Sequence, residues 1–334
     1  MSHITLDNGH KAWAFSSSQY VQEAVKNVER HLKTNGDRLS TRANSPFSLN
    51  YRPEVDLSDP LDSHNVAYFQ SLIGVLRWIV ELGRADIACE VSMLSSYMAL
   101  PREGHLSQLF HIFAYLQKNH NAEMVFGPTY PDINMDDFLR QTWSASEFST
   151  VKKDKAPTNA PQPRGLGFVM TAYVDADHAS DCRTRRSRTG FAVFLNKAPI
   201  FWMSKRQNSV ETSSFGSEFV AMRHCTEYLR SLRYKLRMMG IPCEDPSLIF
   251  GDNKSVLVNA SIPDSVLKKK HHSVAYHFVR EGVAKDEWRM TYINTCDNLA
   301  DMFTKPLPSG EKRVRFTRMI LHHLFSTREP VTSK

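Results

Sequence analysis

At 334 residues the chain is long enough for about two domains of roughly 150 residues each, and 41% hydrophobic residues suffice for their cores. Lys and Arg number 42 against 35 Asp and Glu, a net charge of +7 and a pI near 9.1, which favours an anionic partner where the charge is clustered. The five cysteines (Cys89, Cys182, Cys225, Cys243, Cys296) are odd in number, far apart and without a C-x-x-C pair, which argues against a disulfide framework or a zinc ribbon and for a reducing, intracellular setting, cytoplasmic or nuclear.

The opening "MSHITLDNGH" is too polar for a secretory leader. Residues 1 to 126 read mostly as helices, because apolar positions recur at steps of three and four: Tyr68, Leu72, Val75, Ile79, Leu82, then Ile87, Val91, Leu94, then Leu106, Phe110, Phe113. The most apolar stretch, "FQSLIGVLRWIVELG", is broken by Arg77 well short of the ~20 residues a membrane span requires, so no membrane partner is expected. From 127 to 167 the chain holds five prolines and three glycines with little periodicity, as an interdomain tether would. Within it Met135-Asp136-Asp137 looks superficially like a polymerase paired-aspartate hairpin. It lacks flanking apolar strands and is read as a solvated acidic loop, so no polymerase activity is expected of this chain.

Beyond the tether, "FVMTAYVD", "FAVFL" and "IFWMS" are short β-rich runs. A long helix follows: Met222, Cys225, Leu229, Leu232, Leu236 and Met239 keep helical spacing, and Gly240 sits where a helix stops. "SLIFGD" (strand), "NKSVLVNA" (helix), "HHSVAYHFVREGVA" (helix), "WRMTYI" (strand) and "NLADMFTK" (helix) complete the order βββαβααβα.

In that order an acid falls at the end of the first strand (Asp175), near the start of the long helix (Glu218), at the end of the fourth strand (Asp252) and early in the last helix (Asp301). Such positions can converge on one sheet edge. Four carboxylates brought together repel unless cations neutralise them, and hard divalent ions with oxygen ligands suit that role. Two such ions about 3.5 to 4 Å apart clamp the attacking and leaving oxygens of a phosphodiester, the chemistry of a hydrolytic nuclease.

The runs "YVDADHASDCRTRRSRTGFAVFLNKAPIFWMSKRQNSVETSSFGSEFVAM", "FGDNKSVLVN", "KKKHHSVAYHFVRE" and "NLADMFTKPL", in that order, resemble copia-type retrotransposon RNase H over roughly 168 to 310. "WAFSSSQYVQEAVKNVE", "YFQSLIGVLRWIVELGRADIACEVSMLSSYMALPREGH" and "FAYLQK" resemble the end of the reverse transcriptase of the same polyproteins, beyond its catalytic hairpin. The resemblance implies an α/β fold with an RNase H-like mixed five-stranded sheet, preceded by a mainly helical thumb or connection-like region. It implies four parts: 1–126 helical, 127–167 tether, 168–310 RNase H-like, and 311–334 a C-terminal tail. It also implies that Asp175, Glu218, Asp252 and Asp301 hold two Mg ions, with Mn as a substitute, and cut the RNA strand of an RNA/DNA hybrid. The partners implied are that hybrid and the remaining polyprotein, polymerase and integrase.

Asp177 is read as a turn cap or a support for the site. Two departures from the family stand out: Phe215 and Gly216 occupy the place where many relatives carry an extra acid, and "NTCDN" offers no histidine before the last acid, a role His178 could fill. Phosphate contact is expected of Arg183, Arg185, Arg186 and Arg188, of Lys205 and Arg206, and of Lys269 and Lys270 beside Lys268. The run Arg230, Arg233, Lys235, Arg237 is read in the same way. Trp202 is read as a core residue or a base-stacking one, and His271, His272 and His277 as helix-packing or phosphate-meeting groups rather than a metal site. Two other functions compete: a non-catalytic nucleic-acid-binding relic, and a transposase or integrase, which should carry two aspartates followed by a glutamate on a late helix.

Overall fold

The computed structural model describes residues 1–6, 8–143, 148–152, 157–265 and 273–322. Contacts divide the chain into two units, one formed by Met1–Gly127 with the segment from Lys305 onward, the other by Pro128–Thr304. Among the described residues no helix is long and apolar enough to cross a membrane.

The first unit begins with strands β1 (Ser2–Thr5) and β2 (Lys11–Ser16), an antiparallel hairpin. The segment is mostly helical, as expected, but it opens on a hairpin that the helical periodicity did not indicate. In "KAWAFS" Ala12 and Ala14 are buried while Lys11 and Trp13 are exposed, an alternation of period two that makes a strand with one covered face. Helices α1 (Ser18–Thr34), α2 (Ser63–Glu81), α3 (Ala88–Leu94) and α4 (Glu103–Lys118) follow. Val21, Val25, Val28 and Leu32 of α1 line one buried face and pack with Phe69, Leu76, Ile112 and Phe113, as the periodicity predicts. Strand β3 (Glu123–Phe126) returns beside β2.

The second unit opens with the segment read as an interdomain tether, in which Phe138 and Trp143 are buried, and Phe138 meets Phe250 edge to face at 5.2 Å between ring centroids. The Pro128 carbonyl accepts from Asn196 Nδ2 at 2.9 Å. Large aromatic side chains hold this proline-bearing strap on the unit, because burying each removes a large apolar area from water. Met135–Asp137 forms one exposed 3-10 turn capped by Asn134, consistent with an acidic loop.

Strands β4 (Met170–Asp177), β5 (Arg188–Leu195) and β6 (Ala198–Arg206) form a meander in which β5 is antiparallel to both neighbours. Helix α5 (Ser214–Met238) leads to β7 (Ser247–Gly251), then α6 (Lys254–Ser261) and α7 (Ser273–Ala284) lead to β8 (Trp288–Tyr292), followed by the single turn α8 (Asp301–Thr304). The sheet order is β6-β5-β4-β7-β8, with β7 parallel to β4 and β8 parallel to β7. Three antiparallel strands continued by two parallel ones make the mixed five-stranded sheet that the resemblance implies. Its core gathers Val174, Phe191, Phe219, Leu229, Ile249 and Trp288.

At Lys305 the chain returns to the first unit through α9 (Glu311–Ile320) and β9 (Leu321–His322), which pairs with β3. The described part of the expected tail is therefore structured. The cause is a fully buried polar cluster. Arg84 forks onto Asp86 through two bonds of 2.9 Å, the Tyr115 hydroxyl donates to Asp86 Oδ2 at 2.9 Å, and Arg313 of α9 donates to the Asp86 carbonyl at 2.6 Å and lies 3.3 Å from Glu90. Burial alone would raise the Asp86 carboxyl, but the guanidiniums of Arg84 and Arg313 outweigh it and hold the group below the usual carboxylate range. Removing one partner leaves buried charge uncompensated. Arg313→Met is thus expected to cost about 3–5 kcal/mol, read as an earlier denaturant midpoint for the first unit. An unchanged midpoint would mean that the cluster does not hold α9.

Candidate metal centre

The carboxylates of Asp175, Asp252 and Asp301 converge: one oxygen from each lies within 4.8 Å of the others. Asp175 and Asp301 are buried and Asp252 is half-buried. Each comes from a different element. Asp175 stands two residues before the end of β4, Asp252 follows β7, and Asp301 begins α8. The parallel pairing of Val174 with Gly251 puts the first two acids at the same end of adjacent strands. Like charges so close repel by on the order of 3 kcal/mol per pair at an effective dielectric constant of about 20. An all-oxygen, all-carboxylate donor set of this kind fits a hard divalent cation.

The third acid is brought in by groups that the sequence did not single out. Asn298, fully buried, donates through Nδ2 to the Val174 carbonyl at 2.9 Å and accepts from the Ala300 N–H at 3.2 Å, so the turn before α8 is fastened beside Asp175. Thr304 closes α8 and donates its hydroxyl proton to Asp175 Oδ2. Gly190 of β5 faces Asp175 in register. A Cβ there would stand 2.7 Å from Thr304 Cγ2 and 2.8 Å from Phe303 Cβ, so only glycine lets α8 lie this close to the sheet. A glycine inside the apolar run "TGFAVFL" was the available signal, since a glycine inside a strand often marks close approach of another backbone.

Glu218 is half-buried in the first part of α5 and is not one of the three grouped acids. Its helix start is held by several bonds. Ser213 caps it by accepting from the Gly216 N–H at 3.3 Å, and Gln207 Nε2 donates to Thr189 Oγ1 at 3.0 Å and to the Ser217 carbonyl at 2.9 Å. The Ser217 hydroxyl has one proton, directed at the Ser214 carbonyl (2.9 Å). It also lies within hydrogen-bonding distance of His178 Nδ1, at 3.3 Å. His178 thus ties the end of β4 to the residue next to Glu218. Asp177, half-buried opposite Arg188, also lies outside the acid group.

The basic residues divide by exposure. Arg183 and Arg185 are exposed and Arg186 half-buried on the loop from β4 to β5. Asp181 organises that loop, accepting from the N–H groups of Arg183 and Thr184 at 3.1 and 2.9 Å and from Arg206 at 3.1 Å. Burial alone would raise the Asp181 carboxyl, but these donors outweigh it and hold it low. Lys205 is exposed and Arg206 half-buried. Arg188 is buried at 6% exposure, and its guanidinium donates to Ser204 Oγ at 3.3 Å within the β5–β6 pair. In the run from Arg230 onward, Arg233 is buried and donates to the carbonyls of Asp245 and Cys243, and Arg230 pairs with Glu287 and Glu281. Trp202 is half-buried and His277 exposed. Lys268, Lys269, Lys270, His271 and His272 lie outside the described residues.

No family model matches the chain. The chain is 28% identical over 251 residues to the retrovirus-related Pol polyprotein from transposon RE1 of Arabidopsis thaliana, a match covering 75% of this chain and 14% of that polyprotein. It is 24% identical over 311 residues to the polyprotein from transposon TNT 1-94 of Nicotiana tabacum, covering 93% and 20%. The chain thus spans a fifth or less of the length of these two relatives. Among solved structures, the RNase H1 called LC11, isolated from compost, is similar at 15% identity over 41% of this chain and 92% of its own, with a TM-score of 0.33, too low to add to the strand order itself. By its sequence, the chain is a homologue of the retrovirus-related Pol polyproteins of copia-type transposons.

Proposed function

We propose that the second unit is an endonuclease that hydrolyses the RNA strand of an RNA/DNA hybrid during reverse transcription of a retroelement. The observation that carries this reading is the convergence of Asp175, Asp252 and Asp301 from three separate elements. In this reading the three acids, with Glu218, hold two Mg ions, for which Mn substitutes. Bound there, such ions supply Lewis acidity to the phosphodiester and lower the pKa of a coordinated water. The chain's own residues do the rest. Thr304 and Asn298 fix Asp175 and the start of α8, Gly190 keeps them close, and Arg183, Arg185 and Arg186 hold backbone phosphates. The first unit, in the same reading, is the thumb-like region that grips template and primer, and the rest of the polyprotein is its partner.

The test is a side-by-side digest of labelled hybrid, duplex DNA and duplex RNA at one salt concentration, for the wild type and Asp175→Asn. Only the RNA of the hybrid should be cut, because the scissile strand must present 2′-hydroxyls, which duplex DNA lacks, while the partner strand must take a DNA-like path, which duplex RNA does not offer. Chelator should stop cleavage, Mg or Mn should restore it, and Ca should not, since its longer and looser coordination suits in-line displacement poorly. Cleavage that survives excess chelator would remove the metal from the reading. Equal attack on duplex DNA would favour a transposase instead, and binding without any cleavage a non-catalytic relic.

A further inference from the structure

The stretch Asp252-Asn253-Lys254 sets a cation two residues beyond one of the grouped acids. Asn253 caps α6: its Oδ1 accepts from the N–H groups of Ser255 and Val256 at 3.1 and 3.2 Å, so the backbone between Asp252 and Lys254 is held. Lys254 is exposed, and its ammonium lies 4.5 Å from the centre of the Tyr292 ring. Tyr292 ends β8, pairs in register with Gly251, and is 43% exposed. The next residue is fastened as well, since the Ile293 N–H donates to the Gly251 carbonyl at 3.0 Å. Neighbouring strands run about 4.8 Å apart, so Tyr292 and Lys254 stand beside Asp252 at the end of the sheet that carries the acids.

A polyanion lying across three carboxylates needs a nearby cation whose charge is not already consumed by those carboxylates. An ion pair with an acid would cancel the ammonium. An aromatic face does not. It attracts the cation through its quadrupole yet leaves the formal charge and N–H donors in place, and a lysine head suits a phosphate as a compact point charge. Resting on the nuclease reading above, we propose that Lys254 binds a backbone phosphate of the strand that lies across the acids, and that Tyr292 is the positioning residue that holds its ammonium there.

The full chain is titrated with fluorescently labelled hybrid in the absence of divalent metal, so that binding is read independently of cleavage. Lys254→Met should weaken binding about 3- to 10-fold at low salt and flatten the log-log salt slope by about 0.9, the share of one neutralised phosphate. Lys254→Arg should keep the slope. Tyr292→Phe should behave as wild type, and Tyr292→Leu should weaken binding without adding to the loss in the Lys254→Met background, as expected for two residues acting through one contact. In hybrids carrying single neutral methylphosphonate linkages, one linkage should cost the wild type affinity and cost Lys254→Met none. Wild-type affinity and slope in Lys254→Met would overturn the inference while leaving the nuclease reading intact. A wild type that does not bind hybrid would overturn both, and one that binds but does not cut would still decide the role of Lys254.

Discussion

Asp175→Asn is expected to slow hybrid cleavage by about a thousandfold, several kcal/mol of transition-state stabilisation, while hybrid affinity measured without metal stays within about twofold of wild type. The separation follows from where the charges stand. Asp175 is buried among acids that face a cation in the proposed chemistry, whereas the exposed cations that would meet phosphate sit on the loop from β4 to β5 and at the end of β6. Replacing one carboxylate oxygen by an amide removes an anionic donor without touching that loop, and the amide can still accept the proton of Thr304. The fold should therefore survive. Asp252→Asn and Asp301→Asn should follow the same pattern, and near wild-type cleavage by the Asp175 and Asp252 variants would contradict the assignment.

Gly190→Ala should lower the stability of the second unit by about 1–3 kcal/mol, the usual cost of overpacking, and reduce cleavage by about a hundredfold in the fraction that remains folded. The added methyl would meet Thr304 Cγ2 at 2.7 Å, Phe303 Cβ at 2.8 Å and the Phe303 carbonyl carbon at 2.9 Å. The last of these is backbone, so relief requires α8 to move off the sheet. That turn carries Asp301 at its start and the Asp175 partner Thr304 at its end, and a shift near 1 Å at reacting groups costs about two orders of magnitude in rate. Gly74→Ala is the comparison, because nothing lies within 4 Å of the added Cβ in α2 and alanine is the better helix former. It should lower neither quantity. Wild-type stability and rate in Gly190→Ala would show that the close approach is not needed.

Local pattern alone settled the elements of the second unit. The β-rich composition of "FVMTAYVD" and the helical spacing from Met222 to Leu236 are properties of neighbours in sequence. They led to the strand and helix order, and with it to four acids, three of which the structure groups together. The two strands among the first sixteen residues went unread because each carries only a few alternations, a weak signal beside the long helical periodicity downstream.

What remained hidden depends on contacts between distant residues, which local periodicity does not encode. The bond from Thr304 to Asp175 spans 129 positions and that from Asn298 to Val174 spans 124. Whether a basic residue faces solvent or the interior was equally out of reach: Arg185 and Arg188 stand three apart, yet one is exposed on a loop and the other buried in a strand. The same holds for the proline-bearing strap, fastened by Phe138 and Trp143, and for α9, drawn back to the first unit by Arg313. In each case the type of element follows from backbone and side-chain preferences within a few residues. Which surface it covers is decided only once burial of apolar area and satisfaction of buried charge are resolved over the whole fold.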